Sequence, residues 1–275
     1  MSFCLRSVLA GLLVFAAPAA WAAQSCTTNG DCFDGNDCTV DACVSSACVR
    51  TPDANACGGG VVEALLPAKK VKLRIPPSAP ERNGVRMLVT GGAFTKDNMP
   101  APLSADDPVV VGGSMRIFTN AGDGFDHTYP LPAEHWNYFP FFNPTDYRGY
   151  QYKDAFNEAS PIGVVKIIAD KTMKSKGKDD MDFTLATNPD PLHVVLTMGR
   201  HRYCFAMGGE RYNFKEDKIF WSKLAPAPAA CPCNADTDCD DGLACSGTET
   251  CVAGYCQAGG GVCASPSGAF VDLAR

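Results

Sequence analysis

The stretch LHVVLTMGRHRYCFAM, residues 192–207, decides the fold class of the central part of the chain. It contains two short runs, 192–199 and 202–207, that are rich in β-branched and aromatic residues and are separated by turn-forming residues. Runs of this length and composition are typical of β-strands. We therefore expect two strands here.

Similar runs recur on both sides of this stretch. They are VKLRI (71–75), RMLVT (86–90), VVVGGSMRIFTN (109–120), GVVKIIA (163–169), MDFTLAT (181–187) and KIFWSK (218–223). No amphipathic helix of about twelve residues is evident. Roughly eight strands in residues 61–230 predict an all-β domain, a β-sandwich or a jelly-roll-like fold. The sequences GGG (58–60) and APAPAA (225–230) are linker-like in composition.

Two groups of six cysteines flank this domain with nearly the same spacing. Successive intervals are 6, 6, 5, 5 and 9 residues in the first group and 6, 6, 6, 5 and 7 in the second. This agreement predicts an internal repeat, with cysteine-rich modules at 23–60 and 231–263 and a tail at 264–275. The groups are Cys26, Cys32, Cys38, Cys43, Cys48 and Cys57, and Cys233, Cys239, Cys245, Cys251, Cys256 and Cys263.

These cysteines are expected to form structural disulfides. Neither module contains a histidine, and a redox C-x-x-C motif is absent, whereas zinc sites need closer Cys or His pairs. A module with so few apolar residues needs covalent cross-links. Six cysteines allow 15 pairings, so the connectivity within each module stays open. Cys204 and Cys231 remain and are paired by elimination; the alternative is mispairing, because Cys231 lies close to Cys233.

The first 22 residues predict a secretory signal peptide. Arg6 precedes an apolar run, and Ala20-Trp21-Ala22 has the small-residue pattern of a cleavage site. No later apolar run is long enough to serve as a membrane anchor. We therefore expect a secreted or periplasmic protein without a transmembrane anchor.

Charge is unevenly distributed along the chain, which carries a net −6. The first module has five Asp and one Arg; the second has four Asp and Glu249 with no Lys or Arg. Nucleic acids and anionic membranes are therefore not expected as partners of the modules. The lysines between residues 166 and 178 are interpreted as the solvated faces of a hairpin that also protect a sheet edge. A polyanion site is the alternative.

The acidic residues of the second module allow two interpretations, and the first is a calcium site. Asp236, Asp238, Asp240 and Asp241 precede Gly242 in a spacing that resembles calcium-binding loops. The other reading is that such carboxylates cap tight turns, and the first module, which keeps only two of them, favours it. No other cofactor is expected.

Aromatic residues are concentrated between residues 135 and 156. Trp136, Tyr138, Phe139 and Tyr147 are the candidate ligand-binding residues, because Pro140 and Pro144 interrupt regular structure and exposed rings suit sugars or protein partners. Filling of the core is the alternative. The pairs Asp106-Asp107 and Asp179-Asp180 would serve a polysaccharide hydrolase as acid and base if the fold brought them together.

The first module resembles known extracellular repeats. The sequence CFDGNDCTVDAC (32–43) is similar to the C-x-D-G-x-x-C-T-x-D-x-C repeat of slime-mould extracellular-matrix proteins and to cysteine repeats of large exported proteins of myxobacteria-like Gram-negatives. The second module resembles a longer variant of the bacterial repeat. It lacks a counterpart of the Thr39/Asp41 pair. The middle segment resembles an uncharacterised module of the same exported proteins. The resemblance implies a matrix or adhesive role and supplies no catalytic residues.

Together these features predict an exported, noncatalytic protein for binding, adhesion or matrix formation at the bacterial cell surface. Its expected partner is a polysaccharide or a cell-surface protein. The alternative function is an extracellular, carboxylate-dependent polysaccharide hydrolase.

Overall fold

The computed structural model describes residues 25–32, 39–52, 60–90, 93–140, 143–243 and 247–260. The predicted signal peptide and the predicted tail lie outside these described residues. The chain divides into two compact units, residues 1–57 and residues 58–275. Within the described residues, no helix is long and apolar enough to cross a membrane.

Nearly all regular structure in both units is β-strand. The first unit contains β1 (Thr39–Val44) and β2 (Ala47–Pro52). The second unit contains β3 (Val62–Leu65), β4 (Ala68–Arg74), β5 (Gly84–Thr90), β6 (Gly113–Thr119), β7 (Asp126–Leu131), β8 (Trp136–Phe139), β9 (Gly149–Lys153), β10 (Ile162–Ile168), β11 (Thr172–Lys178), β12 (Leu192–Met198), β13 (His201–Met207), β14 (Tyr212–Lys215), β15 (Ile219–Ala225), β16 (Thr250–Val252) and β17 (Tyr255–Gln257). One helical turn, α1 (Pro108–Val111), precedes β6, and short 3-10 turns occur at Asn29–Cys32, Pro80–Arg82, Ala133–His135 and Asp236–Asp238.

Two sheets of the second unit form a β-sandwich. The larger sheet has eight antiparallel strands in the order β14-β15-β4-β5-β11-β10-β9-β8. The smaller has five strands in the order β3-β13-β12-β6-β7, in which only β3 runs parallel to its neighbour. The prediction of an all-β, sandwich-type domain flanked by disulfide-bonded modules is confirmed.

The core lies between the inner faces of these sheets. Side chains alternate along each strand, so that Val71 and Leu73 of the larger sheet face Tyr203 and Phe205 of the smaller one in a single buried cluster. Phe94 lies between them, with its ring centroid 4.8 Å from that of Tyr203. The 192–207 stretch forms the hairpin β12–β13 at the centre of the five-stranded sheet.

Three details of the strand prediction are wrong. Residues 109–111 form the end of α1 rather than a strand. Residues 181–187 bury Met181, Phe183 and Leu185 in alternation but form no ladder, since the Met181 amide bonds to the side chain of Asn83 instead. The lysine-rich strand β11 is not a sheet edge, because β10 and β5 cover both of its sides.

The described parts of the two cysteine-rich modules share one construction. In each, a 3-10 turn is followed by a hairpin, and the first cysteine pairs with the fourth and the second with the fifth: Cys26–Cys43 and Cys32–Cys48, then Cys233–Cys251 and Cys239–Cys256. One Asp in each turn accepts two backbone N–H groups: Asp31 those of Thr27 and Thr28, and Asp238 those of Asn234 and Ala235. The five disulfides of the described residues indicate an oxidising, extracellular or periplasmic environment.

The second module packs on the outer face of the five-stranded sheet. Cys204 of β13 and Cys231 form a disulfide, the pairing expected by elimination. Phe118, Val195 and the two cysteines form a small buried cluster there. His193 of β12 completes the contact, with ring centroids 5.0 Å from Phe118 and 5.8 Å from Tyr255 of the module.

Polar contacts fix the same interface. Arg116 of β6 bridges Asp126 of β7 and Asp238 of the module, with 2.7 Å between the Arg116 guanidinium and Asp238 Oδ1. Hydrogen bonding to Asp126 raises the pKa of Arg116. Arg202 of β13 donates to the backbone carbonyl of Asp238 at 2.7 Å. The module is therefore held by charge, a disulfide and apolar packing together.

Candidate functional site

The aromatic residues proposed as a binding platform are mostly part of the core. Trp136 is 2% exposed and donates its indole N–H to the Leu131 carbonyl at 3.0 Å. Tyr138 is 8% exposed, and its hydroxyl donates to Asp107 at 2.6 Å. Pairing of β8 with β9 sets this orientation, because alternate residues of β8 must face inward. These two rings cannot offer a flat face to a ligand, which corrects the sequence-based prediction.

The other two predicted residues, Tyr147 and Phe139, have different surroundings. Tyr147 is half-buried, packs 5.6 Å from Tyr150 of the core and carries Lys96 Nζ 5.1 Å from its ring centroid. Phe139 ends β8 on the outer face of the eight-stranded sheet, where Lys166 Nζ lies 3.7 Å from its ring centroid. Of the four residues, Phe139 is the one placed on this outer surface.

Two of the four proposed calcium ligands are already engaged within the protein. Asp238 binds Arg116 and two backbone amides. Asp236 accepts the backbone N–H of Cys251 at 2.7 Å. Both carboxylates therefore act as turn or interface groups, and the four Asp residues do not converge on one point.

The other two carboxylates, those of Asp240 and Asp241, lie near Glu249, which was not among the predicted ligands. Asp240 and Asp241 accept the backbone amides of Gly242 and Leu243, as expected for turn caps. Oxygen atoms of Asp240, Asp241 and Glu249 also lie within 4.8 Å of one another. Calcium binding by Asp236, Asp238, Asp240 and Asp241 stays a prediction.

The two acidic pairs proposed for a hydrolase lie at opposite ends of the larger sheet. Asp107 is buried and accepts a hydrogen bond from Tyr138. Tyr138 lies in the same cross-strand row as Val89 of β5. Asp179 bonds through its amide to the Asn83 carbonyl, next to the first residue of β5. The five residue steps from Gly84 to Val89 separate the two pairs by about 17 Å along the strand direction, and they are also offset across the strands. The pairs therefore do not form one acid–base site.

Asp106 is also committed to a structural contact. Its carboxylate accepts bonds from the Arg200 guanidinium, the shortest at 2.7 Å, and from the Arg200 amide at 3.0 Å. Hydrogen bonding to Arg200 lowers the pKa of Asp106. This ion pair connects the β12–β13 turn to the segment that precedes α1.

A different surface stands out on charge. The eight strands of the larger sheet hold twelve of the 24 Lys and Arg residues of the chain and no Asp or Glu. Because inward positions carry uncharged side chains, the cations collect on the outer face, which we call the cationic face. It consists of Lys70, Lys72, Arg74, Arg86, Lys153, Lys166, Lys174, Lys176, Lys178, Lys215 and Lys223.

Strand register places like charges opposite one another on the cationic face. One row across the sheet reads Trp221, Lys72, Arg86, Lys176, Val164, Lys153. The next contains the directly opposed pairs Lys223 with Lys70 and Lys174 with Lys166. Like charges in direct opposition destabilise a sheet by roughly 0.2–1 kcal/mol a pair. An anionic ligand would remove this repulsion.

Few carboxylates offset these cations. Within the described part of the chain, Lys178 is the one member of the cationic face with an ion pair, to Asp179 at 3.1 Å, and both side chains are largely exposed. Two other members lie over aromatic rings at opposite borders of the face: Lys166 over Phe139, and Lys223 over Trp221 at 4.7 Å.

A notch of about 180 Å³ indents the cationic face where Gly84 of β5 interrupts the row of side chains between Arg74 and Lys178. A Cβ at Gly84 would lie 2.8 Å from the Gly177 carbonyl oxygen, so no side chain fits without a backbone shift. Six cations line this Gly84 notch: Lys72, Arg74, Arg82, Arg86, Lys176 and Lys178.

Comparison with protein-family models, with curated proteins and with solved structures finds no match. The cationic face is therefore the feature that points to a function. The sequence predicted solvated lysines between residues 166 and 178, with a polyanion site as the alternative. The cations that β4, β5 and β15 add to the same face were not predictable, because strand register is a long-range property.

Proposed function

We propose that this protein is an exported, noncatalytic binder of polyanionic polymers at the cell surface or in the extracellular matrix. The cationic face is the observation that carries the proposal. A chain of net charge −6 that places nearly half of its Lys and Arg residues on one sheet face has a local potential opposite to its net charge, and such a patch attracts polyanions.

Features outside the cationic face support a noncatalytic role outside the cytoplasm. The disulfides, with the module resemblance to extracellular-matrix repeats, favour a role outside the cytoplasm. The acidic pairs of the alternative hydrolase are separated by about 17 Å along the strand direction alone, which is already more than glycoside hydrolysis uses. Their positions therefore give the hydrolase no support.

Binding should depend on the middle row of the cationic face. We expect the variant Lys72→Gln/Arg86→Gln/Lys176→Gln to bind polygalacturonate or poly-L-glutamate about tenfold more weakly or worse at low salt, measured by calorimetry on the full chain. The matched control Lys96→Gln/Lys171→Gln/Lys218→Gln removes the same charge from exposed loop positions and should change the affinity much less.

The same experiment tests the absence of catalysis. The polymer is recovered after prolonged incubation and its chain length is measured by size-exclusion chromatography. Equal weakening by both triple variants, or no binding of either polymer, would contradict the binding proposal. A shortened polymer would contradict the proposal that the protein is noncatalytic and would favour the alternative, a carboxylate-dependent hydrolase.

A further inference from the structure

The cationic face combines two features that together specify a ligand more narrowly than charge alone. The first is the Gly84 notch, whose lining residues include Arg74, Arg82 and Arg86. The planar, forked guanidinium matches a carboxylate with two parallel hydrogen bonds. A notch floored by backbone at Gly84 admits such a group closer to the sheet than the surrounding side chains allow.

The second feature is Trp221 at the border of the face. Its ring is half-buried on the outer side of β15, in the same cross-strand row as Lys72 and Arg86. Lys223 Nζ lies 4.7 Å from the ring centroid, so an acidic group drawn to this lysine is brought beside an aromatic surface. An aromatic ring next to a cation suits a sugar ring, which has an apolar face and polar substituents.

The spacing of the two features fits a polymer that crosses the strands. Trp221 on β15 and the notch at Gly84 on β5 are two strands apart, because β4 lies between them. Neighbouring strands are about 4.8 Å apart, and Gly84 lies two residues along β5 from Arg86 of the Trp221 row, so the two features are about 12 Å apart. Two linked sugar rings span a distance of this order, and the cross-strand row continues beyond the notch to Lys176 and Lys153.

We propose that the cationic face binds an extended acidic polysaccharide of the uronic-acid type that lies across the strands. One carboxylate occupies the Gly84 notch between Arg74, Arg86 and Lys178, and a neighbouring sugar ring stacks on Trp221. This inference rests on the proposed function and adds the class of polymer and its subsites.

Other polyanions fit the face less well. An anionic membrane would need exposed apolar side chains along the whole cationic face, whereas the large exposed ones in the strands of this sheet are Tyr212 and Leu224, both at its β14–β15 end. Single-stranded nucleic acids use successive stacking rings along a groove, but the middle of the cationic face, from Lys72 to Lys176, carries no aromatic residue.

Two polycarboxylates of matched charge number separate sugar recognition from charge. Polygalacturonate and poly-L-glutamate are titrated into the full chain at the same ionic strength. We expect the wild type to bind polygalacturonate more tightly, and Trp221→Leu to weaken this binding about three- to tenfold while leaving poly-L-glutamate unaffected. Trp221→Tyr, which keeps an aromatic ring, should restore most of the preference.

The notch is tested separately. Arg74→Gln/Lys178→Gln should weaken polygalacturonate binding more than Lys96→Gln/Lys218→Gln, which removes equal charge elsewhere. Equal affinity for both polymers, with no selective effect of Trp221→Leu, would overturn the sugar inference and leave the proposed function standing. Tighter binding of a DNA oligonucleotide of matched charge would also overturn it. Failure of all polyanions to bind would overturn both.

Discussion

At the scale of single residues, burial decides roles that residue type leaves open. Trp136 and Tyr138 share their residue types with exposed sugar-binding rings, yet β8 turns both into the core. His193 shows the same effect on a titratable group: it is 1% exposed, and its Nδ1 has no hydrogen-bond partner among the described residues. The second module that covers it comes from a distant part of the sequence, so this burial was not predictable from local pattern.

Burial makes His193 a source of acid sensitivity. Desolvation lowers its pKa from 6.5 to about 4. The unfolded chain therefore binds a proton below pH 6.5 that the folded chain does not bind until about pH 4, so stability falls as the pH falls through this window. The expected loss is about 3 kcal/mol between pH 7 and pH 4.

Urea denaturation at both pH values checks this expectation. His193→Leu should lose less stability than the wild type on acidification, by about the amount assigned to the imidazole. His127→Leu, at a partly exposed position of β7, is the control and should keep the wild-type dependence. If all three proteins lose the same stability, burial of His193 is not the cause.

At the scale of elements, periodicity predicted most strands of the sandwich. It could not predict which strands pair or where the second module packs. The runs at 192–199 and 202–207 form β12 and β13, because apolar and β-branched residues fill both the core and the module interface there. The short strands β3 and β8 carry weak local signals and are specified by their partners. Docking of the second module on β6, β12 and β13 depends on Arg116 meeting Asp238, residues far apart in sequence.

The disulfide between Cys204 and Cys231 should stabilise this docking. It closes a loop across 27 residues, and its removal in Cys204→Ala/Cys231→Ala should lower the free energy of unfolding by about 3–4 kcal/mol through the greater freedom of the unfolded chain. Guanidinium denaturation without reductant, with free thiols counted to show the other disulfides intact, measures this. An unchanged midpoint would mean that Arg116 and the apolar contacts suffice.

At the scale of the whole molecule, the central property is segregation of charge. The acidic modules give the chain its net −6, while the outer face of the eight-stranded sheet is cationic. Composition alone shows the net charge and hides the segregation, since Lys72, Arg86 and Lys176 come from three separate segments. The sequence therefore predicted the fold class and the oxidising environment, but it directed attention to the aromatic loop instead of the sheet face.

Lysine footprinting tests the cationic face most directly. The full chain is acetylated briefly with and without saturating polygalacturonate, and each lysine is quantified by peptide mass spectrometry. We predict strong protection of Lys70, Lys72, Lys174 and Lys176, with Lys96, Lys171 and Lys218 modified as in the free protein. Protection spread evenly over both groups, or confined to the loop lysines, would contradict the account that the eight-stranded sheet presents the binding surface.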